Sequence, residues 1–199
     1  MNRLNNRRSI RLREYDYSQS GAYFVTICTR QRECLFGEIA DGEMLLNDAG
    51  RMIEKWFHKL PKKFDGIALV EYIIMPNHIH CVIENIGFVG ADPCVCPRNN
   101  DINTDDIENR DTGEHAGSPL QKIVQWFKTM TTNEYIRNVE RNGWKSFNGK
   151  FWQRNYYEHV IRNDDDLQRT REYILANPAR WDEDENNPAL LNSEWRAFI

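Results

Sequence analysis

The sequence predicts one α/β domain in which helices pack on a central antiparallel sheet. Segments rich in β-branched and aromatic residues alternate with segments of helical periodicity, in the order β-α-β-β-α-β-α. The chain has 199 residues, of which 40% are apolar, and this length and composition suit one domain with a sizeable core.

A strand and a helix begin this order. Residues 23–29 (YFVTICT) are mostly β-branched and aromatic, which is typical of a strand. Between residues 49 and 60, apolar side chains recur on one helical face. Asn47 or Asp48 is a suitable N-cap for this helix, and Pro61 is expected to end it.

A hairpin and a long helix follow. Residues 67–74 and 78–84 are predicted strands of an antiparallel hairpin, joined by a Pro-Asn turn. Farther along the chain, Ser118-Pro119-Leu120-Gln121 combines a capping serine with a proline at the first helical position. This combination predicts the first turn of a helix.

A fourth strand and a last helix complete the order. Residues 149–162 mix aromatic and β-branched residues, and we expect a loop that leads into a strand. Asn163 is the predicted cap of a helix with three aspartates in its first turn, and Asn177-Pro178 ends it. The whole order folds most simply as a ferredoxin-like (RRM-like) sandwich with the helices on one face of the sheet.

The net charge of −4 is unevenly distributed along the chain. Residues 84–117 carry a net charge of −6 and are rich in Asn, Asp and Gly, which predicts a solvated insertion. Residues 182–199 carry −4 and are predicted to be an acidic, solvent-exposed tail, so the remaining residues carry +6. We therefore expect one domain over residues 1–181, and its basic charge is compatible with nucleic acid.

Candidate contacts with nucleic acid lie in a basic N-terminal arm and in the second half of the domain. The arm is equally well explained as a solubilising terminus. His159 is a DNA contact, a partner of a site residue or a structural histidine, and the structural role is favoured. Tyr157 is either a core residue or a base-stacking residue. The candidates are Arg3, Arg7, Arg8, Arg11, Arg13, Lys122, Lys128, Tyr157, His159 and Arg162.

Nothing in the sequence predicts a membrane-bound or exported protein. The apolar runs are far shorter than the roughly 20 residues of a membrane span, and no apolar segment follows the positive N-terminus. Five cysteines without framework spacing suit reduced thiols, so we expect a cytoplasmic location. Cys94, Cys96 and His115 could hold a metal, but their spacing favours a solvated loop.

The strongest chemical signal is His78-Ile79-His80 on a predicted strand. Side chains alternate along a strand, so both imidazoles point to the same face. Two histidines do not close a structural zinc site, and the pair would leave positions open for substrate oxygens. The alternative is that both are polar residues on a solvated sheet face.

Tyr173 and Asn177 of the last helix supply further candidate groups. They are four residues apart and therefore share one helix face. Asn177 can offer a carbonyl oxygen to a metal, beside the Tyr173 phenol. Alternatively, Tyr173 is an amphipathic helix residue whose hydroxyl reaches water, and Asn177 is an ordinary helix stop.

Three ordered motifs together resemble a known family. The segments MPNHIHC (75–81), YEHVIRN (157–163) and YILANP (173–178) are similar to those of the IS200-type single-tyrosine transposases of the HUH class. Within that class the REP-associated tyrosine transposases are most similar. Many IS200-type members have Gln where Asn177 stands, and the Asn indicates the REP-associated branch.

This resemblance implies an HUH endonuclease fold and DNA strand transfer or cleavage on hairpin-forming single-stranded DNA. It implies that His78, His80 and Asn177 bind Mg²⁺ or Mn²⁺. Tyr173 would be the nucleophile that takes the 5′ phosphate and frees a 3′ hydroxyl. The protein would be nucleoid-associated, as a monomer or a homodimer. From the residues alone, a non-catalytic single-strand-binding module and a His-x-His phosphohydrolase remain alternatives.

Overall fold

The computed structural model describes residues 20–86 and 118–190. Four antiparallel strands form the main sheet in the order β4-β5-β1-β6, and β2 and β3 form a separate hairpin. The strands are β1 (Gly21–Cys28), β2 (Gly37–Ala40), β3 (Glu43–Leu46), β4 (Ile67–Ile74), β5 (His78–Asn85) and β6 (Tyr157–Ile161). The helices are α1 (Asp48–Phe57), α2 (Leu60–Lys63), α3 (Pro119–Asn142) and α4 (Asp164–Ala176).

The predicted α/β sandwich with a central antiparallel sheet is confirmed. The N-terminal arm (residues 1–19), Cys94, Cys96 and His115 lie outside the described residues. No helix in the described part is both long and apolar enough to span a bilayer.

The main core lies between one face of the sheet and helices α1 and α3. Ile79, Cys81 and Ile83 of β5 point into this core, where they join apolar side chains of both helices. The two helices are also linked by Glu134, which accepts hydrogen bonds from Lys55 Nζ at 2.9 Å and from Trp56 Nε1 at 2.7 Å.

Helix α4 lies on the opposite face of the sheet, so the expectation that the helices share one face is wrong. His78 and His80 alternate with the core residues of β5, and α4 places Tyr173 beside His80. Only Ile174 of α4 is buried, and it is not part of the main core. The second face is therefore only partly covered and leaves room for a groove.

The predicted helix starts are confirmed by their caps. Side-chain oxygens of Asn47, Ser118 and Asn163 each accept a hydrogen bond from a backbone amide in the first turn of α1, α3 and α4. Gly143 ends α3 in a left-handed conformation, at φ +67°, where glycine avoids the strain of a Cβ.

Three features differ from the sequence-based expectations. The β2–β3 hairpin was not predicted, because its strands are only four residues long. Pro61 does not stop a helix but lies in the first turn of α2, where its missing N–H costs nothing. The tail from residue 182 is not solvent-exposed throughout, since Asn186 and Asn187 are each 6% exposed.

We expect Phe127→Ala to lower the free energy of unfolding by about 3–5 kcal/mol. Phe127 is 1% exposed, and its ring contacts Phe57 and Trp152 at centroid distances of 6.2 Å and 6.0 Å. Urea unfolding measures the change. Leu45→Ala, at a side chain that is 52% exposed, should stay within about 0.5 kcal/mol, and equal losses in both variants would contradict this core assignment.

Candidate active site

Two buried histidines face each other on the α4 side of the sheet. His78 and His80 pair with Cys28 and Thr26 of β1, and they are 0% and 2% exposed. Their Nε2 atoms are 2.9 Å apart. The strand therefore brings both imidazoles to one point, as the alternation of the sequence predicts.

Asn77 fixes the protonation of His78. Its Nδ2 donates to the carbonyls of Arg32, at 2.9 Å, and Asn186, at 2.8 Å, so its Oδ1 is the atom that faces His78 Nδ1 at 2.8 Å. Because Oδ1 only accepts, Nδ1 of His78 carries the proton and Nε2 keeps a free lone pair.

Thr26 contacts the second imidazole in a similar way. Its hydroxyl oxygen lies 2.8 Å from His80 Nδ1 and can accept a hydrogen bond from a protonated Nδ1. In that tautomer, Nε2 of His80 keeps a free lone pair. Burial, the largest cause, lowers the pKa of both imidazoles far below the ordinary histidine value. Both rings are therefore neutral at pH 7, as metal ligands must be.

A third buried group, Asp184, was not found from the sequence. Its Oδ1 accepts a hydrogen bond from the backbone N–H of Asn186 at 2.7 Å, and its Oδ2 lies 3.5 Å from His78 Nε2. The Asp184 side chain is only 4% exposed. Four consecutive acids occupy residues 182–185, and no local signal separates this one from its neighbours.

The donor set fits a divalent cation. Ligand atoms of His78, His80 and Asp184 all lie within 4.8 Å of one another. Among the described residues, the buried atoms Asn177 Oδ1 and Asp184 Oδ2 have no hydrogen-bond partner. Buried polar atoms are rarely left unpaired, and a cation bound by the three grouped residues would satisfy the Asp184 oxygen and both imidazole lone pairs.

Tyr173 presents its hydroxyl to this cluster. The hydroxyl lies 3.4 Å from His80 Nε2, while the side chain is 44% exposed. Burial of the hydroxyl, the largest cause, and then the Asp184 carboxylate raise the pKa of Tyr173, and the Asn177 amide acts in the opposite direction. The protein alone therefore keeps the phenol protonated at neutral pH, and a positive charge near Asp184 would favour the phenolate.

An open cavity of about 640 Å³ extends from this cluster along β1 and β6. Phe24 forms part of its floor and contacts the rings of Tyr157 and Tyr173 edge-on, at 6.1 Å and 5.9 Å between centroids. Tyr157 is 53% exposed. The cavity thus has aromatic faces next to the Tyr173 hydroxyl.

The other predicted contact residues are more scattered. His159 Nε2 lies 3.0 Å from Asp166 Oδ2, within hydrogen-bond distance, which favours the structural interpretation. Lys122 and Arg162 are exposed. Lys128 donates its hydrogen bonds to backbone carbonyls of residues 153–155 instead of facing solvent.

We expect Asn77→Ala to weaken divalent-ion binding by about 10- to 100-fold, the usual effect of losing a partner that orients a ligand. The His78 ring then loses its fixed tautomer, and the Arg32 and Asn186 carbonyls each lose a donor. Calorimetric titration with Mn²⁺ measures the affinity. An unchanged affinity in a folded variant would show that Asn77 does not orient His78.

Two proteins of Haemophilus influenzae are similar to this chain in sequence. An uncharacterized protein of Haemophilus influenzae is 37% identical over 182 residues, covering 92% of this chain and 93% of that protein. A second protein of the same organism, described as "Putative REP-associated tyrosine transposase", is 24% identical over 83% of this chain and 74% of that protein. No family model matches the chain.

A solved structure shares the fold. It is a REP-associated tyrosine transposase bound to a REP hairpin, with a TM-score of 0.51 and 18% identity, over 85% of this chain and 74% of that one. The chain therefore belongs to the family of its 37% identical Haemophilus relative, and its predicted resemblance to the REP-associated tyrosine transposases is confirmed.

Proposed function

We propose that the protein is a metal-dependent tyrosine transposase or endonuclease that binds hairpin-forming single-stranded DNA. One observation carries the proposal: the Tyr173 hydroxyl lies 3.4 Å from His80 Nε2, beside a buried group of candidate metal ligands and at the end of an open groove. The structural neighbour bound to a REP hairpin supports a stem-loop substrate.

In the proposed reaction, the Tyr173 oxygen attacks a phosphodiester phosphorus. A bond forms between this oxygen and the phosphorus, and the bond from phosphorus to the 3′ oxygen breaks. The phenol proton passes to solvent, to which the half-exposed side chain is open, and the released 3′ oxygen takes a proton from water. The product is a 5′-phosphotyrosine link and a free 3′ hydroxyl.

The phosphotyrosine keeps the energy of the broken bond. Attack by a 3′ hydroxyl on the same phosphorus reverses the step and releases Tyr173, so rejoining needs no nucleotide cofactor. The Tyr173 hydroxyl lies beside His80 of its own chain, which favours cleavage by the tyrosine in cis.

His78, His80, Asp184 and Asn177 would hold the divalent cation. A cation bound there polarises a phosphoryl oxygen and favours attack at phosphorus. Two imidazole nitrogens and two oxygens make a mixed donor set, and Mn²⁺ suits it better than Mg²⁺, which prefers oxygen ligands.

The test is incubation of the protein with a 5′- and 3′-labelled stem-loop oligonucleotide that carries single-stranded flanks. We expect a covalent protein–DNA adduct on a denaturing gel with Mn²⁺ or Mg²⁺ and none with a chelator. Tight, chelator-insensitive binding without an adduct would identify a binding module instead. Hydrolysis of small phosphoesters that survives loss of Tyr173 would identify a phosphohydrolase.

A further inference from the structure

The segment 153–157, here called the groove wall, forms one side of the cavity beside Tyr173. Four of its five residues line the cavity. Its start is fixed to the end of β1. Thr29, the residue after β1, pairs with Trp152, and the backbone N–H of Gln153 donates to the Cys28 carbonyl at 2.9 Å. The groove wall therefore crosses from this anchor to the first residue of β6.

Lys128 of α3 lies behind the groove wall. Its Nζ is 2.9 Å from the carbonyl oxygen of Gln153, 3.4 Å from that of Arg154 and 3.1 Å from that of Asn155. An ammonium group has three donors. All three are used on consecutive carbonyls, which leaves none for a phosphate.

The bound ammonium group has two physical effects on the groove wall. It gives hydrogen-bond partners to three consecutive carbonyls, which fixes the path of the backbone. Its positive charge also offsets the negative ends of these carbonyl dipoles, which would otherwise repel a polyanion. Burial lowers the pKa of Lys128 to about 8, so the group remains mostly charged at pH 7.

The groove wall offers the chemistry that an unpaired base requires. Gln153 and Asn155 line the cavity, and within residues 20–86 and 118–190 neither of their side chains has a hydrogen-bond partner. Amide groups can donate to and accept from base edges. The aromatic faces of Phe24 and Tyr157 lie in the same cavity and suit base stacking.

We propose that Lys128 is a positioning residue that shapes the groove wall to receive unpaired bases next to the scissile phosphate, without contacting the DNA itself. This inference rests on the proposed function for the identity of the substrate. It replaces the sequence-based expectation that Lys128 is a DNA contact.

The first test needs no DNA. Arg154 is an exposed trypsin site in the middle of the groove wall, and its cleavage reports how well the wall is held. We expect Lys128→Met to speed cleavage after Arg154 by at least about tenfold, because this cleavage requires local opening of the segment. Cleavage at the other sites that both proteins share should remain unchanged. Lys122→Met, which removes an exposed lysine of the same helix, should leave the rate of cleavage after Arg154 at the wild-type value.

The second test is binding of two labelled stem-loops, one with single-stranded flanks and one without. We expect Lys128→Met to weaken binding of the flanked oligonucleotide by about tenfold, with little change for the unflanked one. The slope of log affinity against log salt should stay as in wild type, because a residue that contacts no phosphate releases no counterion. Lys128→Arg, which keeps a charged donor group, should restore part of the loss.

The outcomes separate this inference from the proposed function. Unchanged cleavage after Arg154, or a salt slope that falls by about one unit in Lys128→Met, would overturn the positioning role. If wild type binds neither oligonucleotide, the proposed substrate is wrong, but proteolysis still decides whether Lys128 holds the groove wall. If Lys128→Met unfolds throughout, Lys128→Gln takes its place. Its side chain is shorter and neutral and has only two donors, so it cannot pair all three carbonyls and the same outcomes decide.

Discussion

Replacing Tyr173 with Phe is expected to remove the covalent protein–DNA adduct and to slow strand cleavage by at least about 10³-fold. The variant loses only the hydroxyl near His80, and its ring can still pack edge-on against Phe24. Because the nucleophile acts mainly in the transition state, DNA binding should change by less than about threefold. Denaturing gels measure cleavage, and fluorescence anisotropy measures binding.

Tyr157→Phe is the matched control for this variant. Its side chain lies in the same cavity and is 53% exposed, so the change removes a comparable hydroxyl. We expect the control to form the adduct as wild type does. As much adduct in Tyr173→Phe as in wild type would show that another group attacks the phosphorus.

Asp184→Asn is expected to weaken Mn²⁺ binding by at least about 100-fold, more than the loss of a partner that only orients a ligand. The new side-chain amide has the size of the carboxylate, and its oxygen can still accept the hydrogen bond from the backbone N–H of Asn186. It removes the negative charge from the atom that lies 3.5 Å from His78 Nε2. Calorimetric titration measures the affinity, and cleavage at low Mn²⁺ should fall in parallel.

Asp182→Asn is the control, since Asp182 is an exposed acid two positions earlier. It should bind Mn²⁺ as wild type does. In the absence of added cation, Asp184→Asn should also lower the pKa of Tyr173, because the Asp184 carboxylate raises it. Carbon-13 NMR of the tyrosine rings detects this shift. Equal Mn²⁺ affinity in wild type and Asp184→Asn would exclude Asp184 as a ligand.

Features that depend on neighbouring residues were predictable from the sequence. Each of the capping residues Asn47, Ser118 and Asn163 acts within a few residues of its own position, and all three lie where their patterns indicate. The hairpin of β4 and β5 is likewise set by its turn and by alternation. The same alternation places His78 and His80 on one face.

Features that depend on distant contacts were not predictable. The first turn of α4 signals a helix, but nothing in it shows which face of the sheet the helix covers. Asp184 differs from the adjacent acids only because the chain turns back after α4 and packs beside His78. Lys128 resembles any basic helix residue until the fold brings three carbonyls of the groove wall to its ammonium group.

The most direct test of the central claim is to locate the DNA on the protein. After reaction with a stem-loop oligonucleotide and Mn²⁺, digestion with nuclease and trypsin followed by mass spectrometry identifies the peptide that retains nucleotide mass. The proposed mechanism predicts this mass on residues 172–180, at Tyr173. Nucleotide mass on residues 155–162, which contain Tyr156 and Tyr157, or cleaved DNA without any modified peptide, would contradict it.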